Sequence, residues 1–345
     1  MKALTFGSAM VDIIAVLASE SIEQISLSNA HQQFLLVEPG RKVEANSIST
    51  HIGGGGLNTA VSLARLGASV APVVKTGDDT HQDHIREHCQ LNGLLTNNLL
   101  VSEGSKSGSA VMIASHDKNA AIFTHRGANT RLDQEDIESI DASGIDLLHA
   151  APLSGDSALM LPIIGELARR SGAFFSCNPG IRQITTRTNT VIAAGKNMNL
   201  ISINGAEAAA LVPCLSALDA SLDWRTAAPN EPILRSGENL LSLEQFCENF
   251  AKHGPDHILV TYGGEGAYLY DGKHLHHQPV VPASVAGTAG AGDAFVSTLA
   301  WGLKSGKNAE DALLLAAHNA SSVVSFVNTT DGLLFLNELE ERLKA

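Results

Sequence analysis

The segment GTAGAGDAF, residues 287–295, could form an anion-binding turn beside a carboxylate. Glycine and alanine make up five of the six residues before Asp293, and such small residues let a ligand approach the backbone closely. The apolar residues that follow have helical spacing as far as Gly306, which predicts a helix that begins at Gly292 or Asp293. The free N–H groups of a helix N-terminus suit a phosphate group. Considered alone, the segment favours the alternative, an ordinary glycine-rich turn with Asp293 as the helix cap.

A second glycine cluster, HIGGGGLNTAVSLARLG at residues 51–67, also precedes a helical pattern. Its glycines, with Gly54 and Gly55 at the centre, could cradle an anion or let a substrate lie against the backbone. Asn58 falls in the first turn of the predicted helix, where its amide could bind a polyol. The cluster lacks the Lys-Ser/Thr pair of a Walker loop and the spacing of a dinucleotide-binding turn. Taken singly, it favours a flexible loop before a helix.

A third segment, NLISINGAEAAAL at residues 199–211, places Asn204 and Glu207 three residues apart where a buried strand passes into a helix. An amide and a carboxylate at this position could orient water on a hard cation such as Mg²⁺. The same spacing fits a capping box, with Asn204 at the cap and Glu207 at the third helical position. Both interpretations can hold together, and the segment alone favours the capping box.

The fourth segment, HILVTYGGEGAYLYDG at residues 257–272, predicts two strands joined by a glycine-rich turn. Thr261, Gly263 and Gly266 could line a nucleotide pocket. A hairpin that needs glycine for its turn explains the same residues equally well. The segment alone therefore leaves both interpretations open.

The elements between these segments predict how they are positioned. Runs rich in valine and isoleucine alternate with longer helical patterns, which indicates parallel strands, crossover helices and a doubly wound sheet. Ligands in such sheets bind beyond the carboxyl ends of the strands. We expect an α/β core formed by residues 1–12, 51–96 and 130–345. Residues 13–50 and 97–129 are expected to form a small β-lid over the ligand edge.

One further segment, residues 213–241, interrupts the alternation and is predicted to be an insertion of loops and short helices. The C-terminal part then predicts helices around 291–304, 308–326 and 334–343.

The composition excludes several classes of partner. The formal net charge is −13, which argues against a nucleic-acid or anionic-membrane partner. The four cysteines are scattered, with no CxxC pair, which favours a reducing cytoplasm over a disulfide scaffold or zinc site. The apolar N-terminal stretch is interrupted by Asp12 and is too short to span a bilayer, so it predicts a first buried strand.

Five motifs in register give the chain a resemblance to the PfkB/ribokinase family of carbohydrate and nucleoside kinases. GGGGLNTAVSLARLG and GTAGAGDAF resemble the two family signatures, and NGAE is similar to its Asn-x-x-Glu magnesium motif. VTYGGEGAYL is similar to the family's nucleotide-side turn, and THRGAN at residues 124–129 to its substrate-side GAN. The resemblance covers nearly the whole chain. It implies a ribokinase-like three-layer α/β/α fold with a doubly wound sheet and a small β-sheet lid.

The resemblance also implies roles for individual residues. Asp293 matches the base that takes the proton from the substrate hydroxyl, and Gly290, Ala291 and Gly292 match the anion hole. Glu207 matches a magnesium residue acting through water. The substrate positions are Asp12, Gly54, Gly55, Asn58 and Asn129. The nucleotide positions are Asn204, Thr261, Gly263, Gly266 and Asn319.

The implied function is ATP- and Mg²⁺-dependent phosphorylation of an alcohol group on a sugar, sugar derivative or nucleoside. The alternatives are a sugar-phosphate (6-phosphofructokinase-like) kinase and a catalytically silent sugar- or nucleotide-binding sensor on the same fold. A homodimer through the lid is expected, because short strands over a site leave edges that a second copy can cover.

Two departures from the family pattern matter. Many members have an aspartate where this chain has Gly287, and in potassium-activated members that residue helps to hold the cation, so the resemblance argues against activation by K⁺. Gly55 replaces a common lysine, a form that sugar-phosphate kinases of the family also show. Arg41, Lys42 and Arg126 could meet a substrate phosphate, although the sequence favours solvated side chains at these positions.

Overall fold

A computed structural model describes residues 1–17, 23–27, 32–36, 40, 42–115 and 120–343 of the chain. Its strands, in chain order, are β1 (Lys2–Phe6), β2 (Met10–Leu17), β3 (Glu23–Leu27), β4 (Gln32–Leu36), β5 (Ala45–Gly53), β6 (Ser69–Gly77), β7 (Leu99–Ser102), β8 (Gly108–Ser115), β9 (Ala120–His125), β10 (Leu147–Ala150), β11 (Phe174–Cys177), β12 (Leu200–Asn204), β13 (Ile233–Ser236), β14 (Asn239–Ser242), β15 (His257–Thr261), β16 (Ala267–Tyr270) and β17 (Leu275–Gln278).

The helices are α1 (Gly55–Arg65), α2 (Thr80–Leu91), α3 (Gln134–Glu138), α4 (Leu161–Ser171), α5 (Gly180–Thr186), α6 (Thr188–Gly195), α7 (Gly205–Leu218), α8 (Leu243–Ala251), α9 (Ala291–Lys304), α10 (Ala309–Val323) and α11 (Leu336–Arg342). None of these helices, within the ranges given above, combines the length and the apolar character needed to cross a bilayer.

A nine-stranded sheet forms the centre of the core, in the order β17-β16-β15-β12-β11-β10-β1-β6-β7. The seven strands from β15 to β7 are mutually parallel, and β16 and β17 run antiparallel at one edge. This arrangement confirms the predicted doubly wound sheet. The carboxyl ends of the parallel strands share one edge, where ligands bind in such folds.

Side-chain alternation along the strands produces two separate apolar cores. In β1, Leu4 and Phe6 belong to one core, whereas Ala3 faces the other. Helices α3–α8 cover the first face of the sheet, and α1, α2 and α9–α11 cover the second. Strands buried on both faces read as continuous apolar runs, which is why the sequence predicts them clearly.

A four-stranded lid sheet, ordered β5-β2-β8-β9, is separate from the main sheet, and β3 and β4 form a two-stranded sheet. The residues that form the lid differ from the expected ranges, 13–50 and 97–129. Strand β7 was placed in the lid, but it pairs in parallel with β6 in the main sheet, because Leu99 is buried there. Strands β2 and β5 continue to Met10 and Gly53, so the lid leads directly into the glycine cluster.

The expectation that residues 213–241 form an insertion of loops and short helices is wrong for the first residues and for the last residues of this range. Helix α7 continues through Pro213 to Leu218, and β13 and β14 form a hairpin. Proline has no N–H to donate to the carbonyl four residues earlier. That carbonyl, on Ala209, instead accepts a hydrogen bond from Ser236 Oγ at 3.5 Å, so the hairpin supports the helix where the proline interrupts its hydrogen bonding.

Candidate active site

The small residues before Asp293 form the start of α9. Gly290 is the residue before the helix and adopts φ 81°, a left-handed conformation that favours glycine. A β-carbon at Gly290 would also lie 2.8 Å from Thr329 Cβ. Asp293 lies in the first turn rather than at the cap, so its interpretation as a helix cap is wrong.

This helix start exposes hydrogen-bond donors. Within the described ranges, no acceptor bonds the backbone N–H groups of Gly292 and Asp293. Gly292 is exposed, and no atom lies within 4 Å of the position that its β-carbon would take. The turn therefore presents free donors and the helix dipole to an open space, as an anion site requires.

The Asp293 carboxylate is held by a short chain of side chains. Its Oδ2 accepts a hydrogen bond from Asn58 Nδ2 at 2.8 Å. Asn58 is 4% exposed, and its Oδ1 accepts from Thr329 Oγ1, also at 2.8 Å. Loss of hydration raises the pKa of Asp293 to about 6, and the Asn58 hydrogen bond opposes this shift. A carboxylate with this pKa can accept a proton at neutral pH.

The second glycine cluster places a second carboxylate near the first. A β-carbon at Gly55 would lie 3.6 Å from Asp293 Oδ1, and one at Gly53 would lie 2.8 Å from Asp12 Oδ2. Gly54 between them has φ 100°, and its β-carbon would meet Ser8 O at 2.5 Å. Only glycine therefore fits at this point of the backbone. The cluster therefore has one carboxylate beside Gly53 and another beside Gly55, two groups that could hold the hydroxyls of a polyol.

Asp12 lies on β2 and is partly buried. Burial raises the pKa of its carboxyl group, and His51 on the neighbouring strand opposes the shift. No hydrogen bond joins the Asp12 carboxylate to any described residue. Its oxygens are thus able to accept hydrogen bonds from substrate hydroxyl groups.

A cavity of about 540 Å³ opens at the start of α9. Thr261, Gly263 and Gly266 line it, together with Ala291 and Gly292 from the start of α9. Its remaining walls are mainly apolar and come from residues 278–285 and α10. The volume and the apolar lining suit an organic ligand that extends from the anion-binding turn.

Asn319 does not line this cavity, which contradicts its predicted contact with a nucleotide. Its side chain is 0% exposed, donates to Thr298 Oγ1 at 2.8 Å and accepts from Leu334 N at 2.9 Å. The helix face that meets the cavity is the one bearing Ala320 and Ser321. Asn319 points instead towards α9, and it joins α9, α10 and the segment before α11.

Asn129 is also fully used inside the protein, which contradicts its predicted contact with substrate. Its Oδ1 accepts from Ala9 N, and its Nδ2 donates to Ala9 O, each at 2.9 Å. A β-carbon at Gly108 would lie 2.0 Å from Asn129 Nδ2 and 2.6 Å from Met10 Sδ. Asn129 therefore holds the first residues of β2 and β8 together where these strands enter the lid.

Asn204 and Glu207 form the capping box that their spacing favours. Asn204 Oδ1 accepts from Glu207 N at 2.9 Å, and Glu207 Oε2 accepts from Asn204 N at 2.8 Å. Glu207 also accepts from the backbone N–H of Ile181. Burial raises the pKa of Glu207 despite these bonds. The capping role is confirmed, and the magnesium role stays a prediction.

Arg126 is one of three basic residues for which the sequence favours a solvated side chain. Its guanidinium is partly buried, and Nη1 donates to Ser154 Oγ at 2.7 Å. The prediction is therefore wrong for Arg126, while Lys42 is exposed and Arg41 lies outside the described residues.

Thr329 is a site residue that could not be identified from the sequence. It lies in the polar segment NTTDG, which carries no signature, and 271 positions separate it from Asn58. Ala151 and Pro152, which approach Gly55, follow the end of β10 and were also unforeseen.

Known sequences resemble this chain along nearly its whole length. A sequence model described as pfkB family carbohydrate kinase matches residues 4–334. The 5-dehydro-2-deoxygluconokinase of Bacillus subtilis is 22% identical over 332 residues, which is 94% of this chain and 97% of that protein. The ribokinase of Lactococcus lactis is 25% identical over 332 residues, which is 96% of this chain and 97% of that protein.

Solved structures share the fold. The Arabidopsis thaliana ribokinase complexed with ribose and ATP superposes with a TM-score of 0.76 at 21% identity, covering 100% of this chain and 99% of that one. The Thermotoga maritima ribokinase gives 0.74 at 20% identity, covering 100% of both chains. The chain therefore belongs to the pfkB family of carbohydrate kinases, and it is a kinase with the ribokinase fold.

Proposed function

We propose that this kinase transfers the γ-phosphoryl group of ATP to an alcohol group of a sugar, a sugar derivative or a nucleoside. The observation that carries the proposal is the position of Asp293. Its carboxylate lies beside Gly55 of the glycine cluster, and the two residues before it, Ala291 and Gly292, line the 540 Å³ cavity. Related proteins support it, since they include a ribokinase and a deoxyribokinase. One structural neighbour is complexed with ribose and ATP.

The proposed reaction requires little covalent help from the protein. Asp293 removes the proton of the acceptor alcohol while the alcohol oxygen forms a bond to the γ-phosphorus. The bond between that phosphorus and the β,γ-bridging oxygen breaks, and ADP leaves. The free N–H groups of Gly292 and Asp293 donate to the phosphoryl oxygens as negative charge builds on them.

The residues present also fit a magnesium ion held through water. Mg²⁺ bound with ATP would neutralise phosphate charge during transfer. Glu207 accepts two backbone hydrogen bonds, whereas an ionised carboxylate offers about four acceptor sites. The remaining sites could orient a metal-bound water, and Asn204, which is exposed at the helix start, could contribute a polar group nearby.

Release of ADP tests the proposal. Purified protein with ATP and Mg²⁺ is assayed against a panel of pentoses, hexoses, sugar acids, sugar phosphates and nucleosides. We expect at least one acceptor to give ADP release that disappears when Mg²⁺ is chelated. If none does, while the same compounds raise the melting temperature, the protein is the catalytically silent sensor instead.

We also propose that the protein works in the cytoplasm. Its four cysteines are free thiols, three of them buried, as a reducing compartment allows. Recovery of the native protein from an exported or membrane fraction of its source cells would contradict this.

A further inference from the structure

We propose that Asp271, His274 and His276 bind a divalent metal ion such as Zn²⁺, and that Glu310 supports this site as a partner of His276. The site lies on the hairpin formed by β16 and β17, at one edge of the main sheet. Its residues belong to none of the motifs described above. The inference does not depend on the proposed kinase reaction.

The turn of the hairpin holds the Asp271 carboxylate in place. Its Oδ1 accepts hydrogen bonds from the backbone N–H groups of Lys273 at 2.9 Å and His274 at 2.8 Å. Its Oδ2 lies 2.7 Å from His276 Nε2. A carboxylate that backbone donors already orient is well prepared to bind a metal ion.

The two histidines lie on the same side of the hairpin as Asp271. They are two positions apart at the start of β17, and their ring centroids are 6.3 Å apart. One ligand atom from each of Asp271, His274 and His276 lies within 4.8 Å of the others. Four-coordinate Zn²⁺ holds its ligand atoms about 3.3 Å apart, so small rotations of the side chains suffice. Across residues 1–17, 23–27, 32–36, 40, 42–115 and 120–343, no other group of three potential ligands has this spacing.

An ion pair between Asp271 and His276 is the alternative explanation of the 2.7 Å contact. That pair uses only two of the three groups. His274 is exposed, and its ring has no hydrogen bond to the part of the chain that the structure describes. A metal ion explains why a second imidazole meets the same carboxylate, whereas the ion pair does not require it.

Glu310 connects the site to helix α10. His276 lies opposite Leu269 on β16, and Leu269 belongs to the core that α10 covers. Glu310, in the first turn of α10, places Oε1 3.9 Å from His276 Nδ1, and its side chain is 83% exposed, so a rotation can shorten this distance. A histidine that binds metal through one ring nitrogen usually donates its other N–H to such a carboxylate. A bound ion would therefore link the edge hairpin to α10.

The chemistry of the ligands selects the type of ion. Two imidazoles and one carboxylate suit Zn²⁺, Ni²⁺ or Cu²⁺, whereas Mg²⁺ prefers oxygen ligands. The scattered cysteines argue only against a thiolate site, and this site contains none. Three protein ligands leave one position of Zn²⁺ for water.

Calorimetric titration of the untagged, full-length protein with Zn²⁺ tests the inference. A histidine tag is avoided because it would bind the ion itself, and excess Mg²⁺ is present to occupy oxygen sites. We expect one Zn²⁺ per chain and a rise in melting temperature when Zn²⁺ is added, because an ion that binds the folded state stabilises it. Chelation with EDTA should reverse the rise.

Substitutions then assign the ion to its ligands. His274→Ala, His276→Ala and Asp271→Asn should each weaken Zn²⁺ binding more than about 100-fold, since loss of an outer partner alone costs about 10- to 100-fold. Asp271→Asn keeps the oxygen that accepts the backbone hydrogen bonds of the turn. Glu310→Gln should weaken binding about tenfold.

Two other histidines provide matched controls. His277 follows His276 on β17, but its ring stacks on Tyr268 at a centroid distance of 4.4 Å. His84 lies on α2, where its ring is 6.5 Å from that of His81. His277→Ala and His84→Ala should both bind Zn²⁺ as the wild type does.

The outcomes decide the inference separately from the kinase proposal. A wild-type protein that binds no Zn²⁺ overturns it, and so does binding that persists in both His274→Ala and His276→Ala or that is lost in His84→Ala. Should His276→Ala melt at a lower temperature than wild type without Zn²⁺, the exposed His274→Ala decides the question. Unchanged affinity in Glu310→Gln refutes the link to α10. None of these results bears on ADP release, which His274→Ala should retain in the presence of Mg²⁺.

Discussion

Asn58 Nδ2 donates a hydrogen bond to Asp293 Oδ2 at 2.8 Å, which joins the first turns of α1 and α9 across 235 positions of sequence. This bond fixes one oxygen of the proposed base and leaves Oδ1 on the side of Gly55. Thr329 in turn fixes the orientation of the Asn58 amide. The proposed base is therefore positioned by two residues that need not touch the substrate.

Replacement of the proposed base should abolish turnover. Asp293→Asn keeps the size and the contact with Asn58 but cannot take a proton, so kcat should fall about 10²- to 10⁴-fold. ATP binding, measured by calorimetry, should be largely retained. The exposed Asp156→Asn, with the same change of charge, should behave as wild type. Turnover near the wild-type rate in Asp293→Asn would refute the assignment.

Thr329 should act as a positioning residue. Thr329→Val removes the hydroxyl that orients Asn58, so kcat/KM should fall about tenfold, the effect of one hydrogen bond. Because Asn58 donates to the Asp293 carboxylate, a misoriented amide should also move the kinetic pKa upward. Thr329→Ser should restore both values. If Thr329→Val leaves the pH profile unchanged, Thr329 does not position the base and has only a structural role.

The acid limb of the pH profile should report Asp293. The pKa is raised to about 6, and the base acts only when it is ionised, so kcat/KM for the free enzyme should fall as pH drops below about 6. The stability of the fold depends on pH in the opposite direction. Because its pKa is raised in the folded state, Asp293 contributes favourably to the free energy of unfolding when it is protonated. That contribution is complete below pH 3.8, the ordinary pKa, and is lost as the pH rises through about 6.

Melting temperatures check the stability effect. Asp293→Asn should melt at a higher temperature than wild type at pH 8, and the difference should shrink as pH is lowered towards 4. A difference that does not depend on pH would show that Asp293 is not the titrating group.

Potassium should not activate the enzyme. The position that a β-carbon would take at Gly287 lies 3.2 Å from Phe326 O and 3.6 Å from Val327 O, so carbonyl oxygens are near but no carboxylate is supplied at residue 287. Activity at fixed ionic strength should be the same with K⁺ as with a bulky organic cation. A severalfold rise in activity when K⁺ replaces the organic cation would contradict the prediction.

The lid should mediate a dimer. Strand β9 lies at one edge of the lid sheet, and Ile122 and Phe123 on it are 58% and 61% exposed. Light scattering at assay concentration should give the mass of a dimer, and Phe123→Glu should shift it to a monomer. Val101→Glu, on the edge strand β7 of the main sheet, is the control and should leave the mass unchanged. A wild-type monomer would exclude the lid dimer.

Local patterns predicted those parts of the site that depend on short stretches of backbone. The glycine cluster, the start of α9 and the capping box of α7 are set by neighbouring residues, so their sequences suffice to identify them. Asn129 and Asn319 were assigned wrongly because their amide groups form hydrogen bonds with the backbone of other segments. Those segments are distant in sequence, so a local pattern does not reveal them. Thr329 could not be found for the same reason.

The contacts around Asn129 bear on how the lid can move. Ala9, Gly108 and Asn129, where three of the chain crossings between lid and core lie, touch one another and form a pivot. The fourth crossing, from Gly53 to Gly54, lies against the same pivot, because Gly53 pairs with Met10 and a β-carbon at Gly54 would lie 3.1 Å from Ala9 Cα. Because all four crossings meet there, any swing of the lid turns about the glycine cluster itself, so that Gly53 and Gly54 keep their place while the far ends of the lid strands travel.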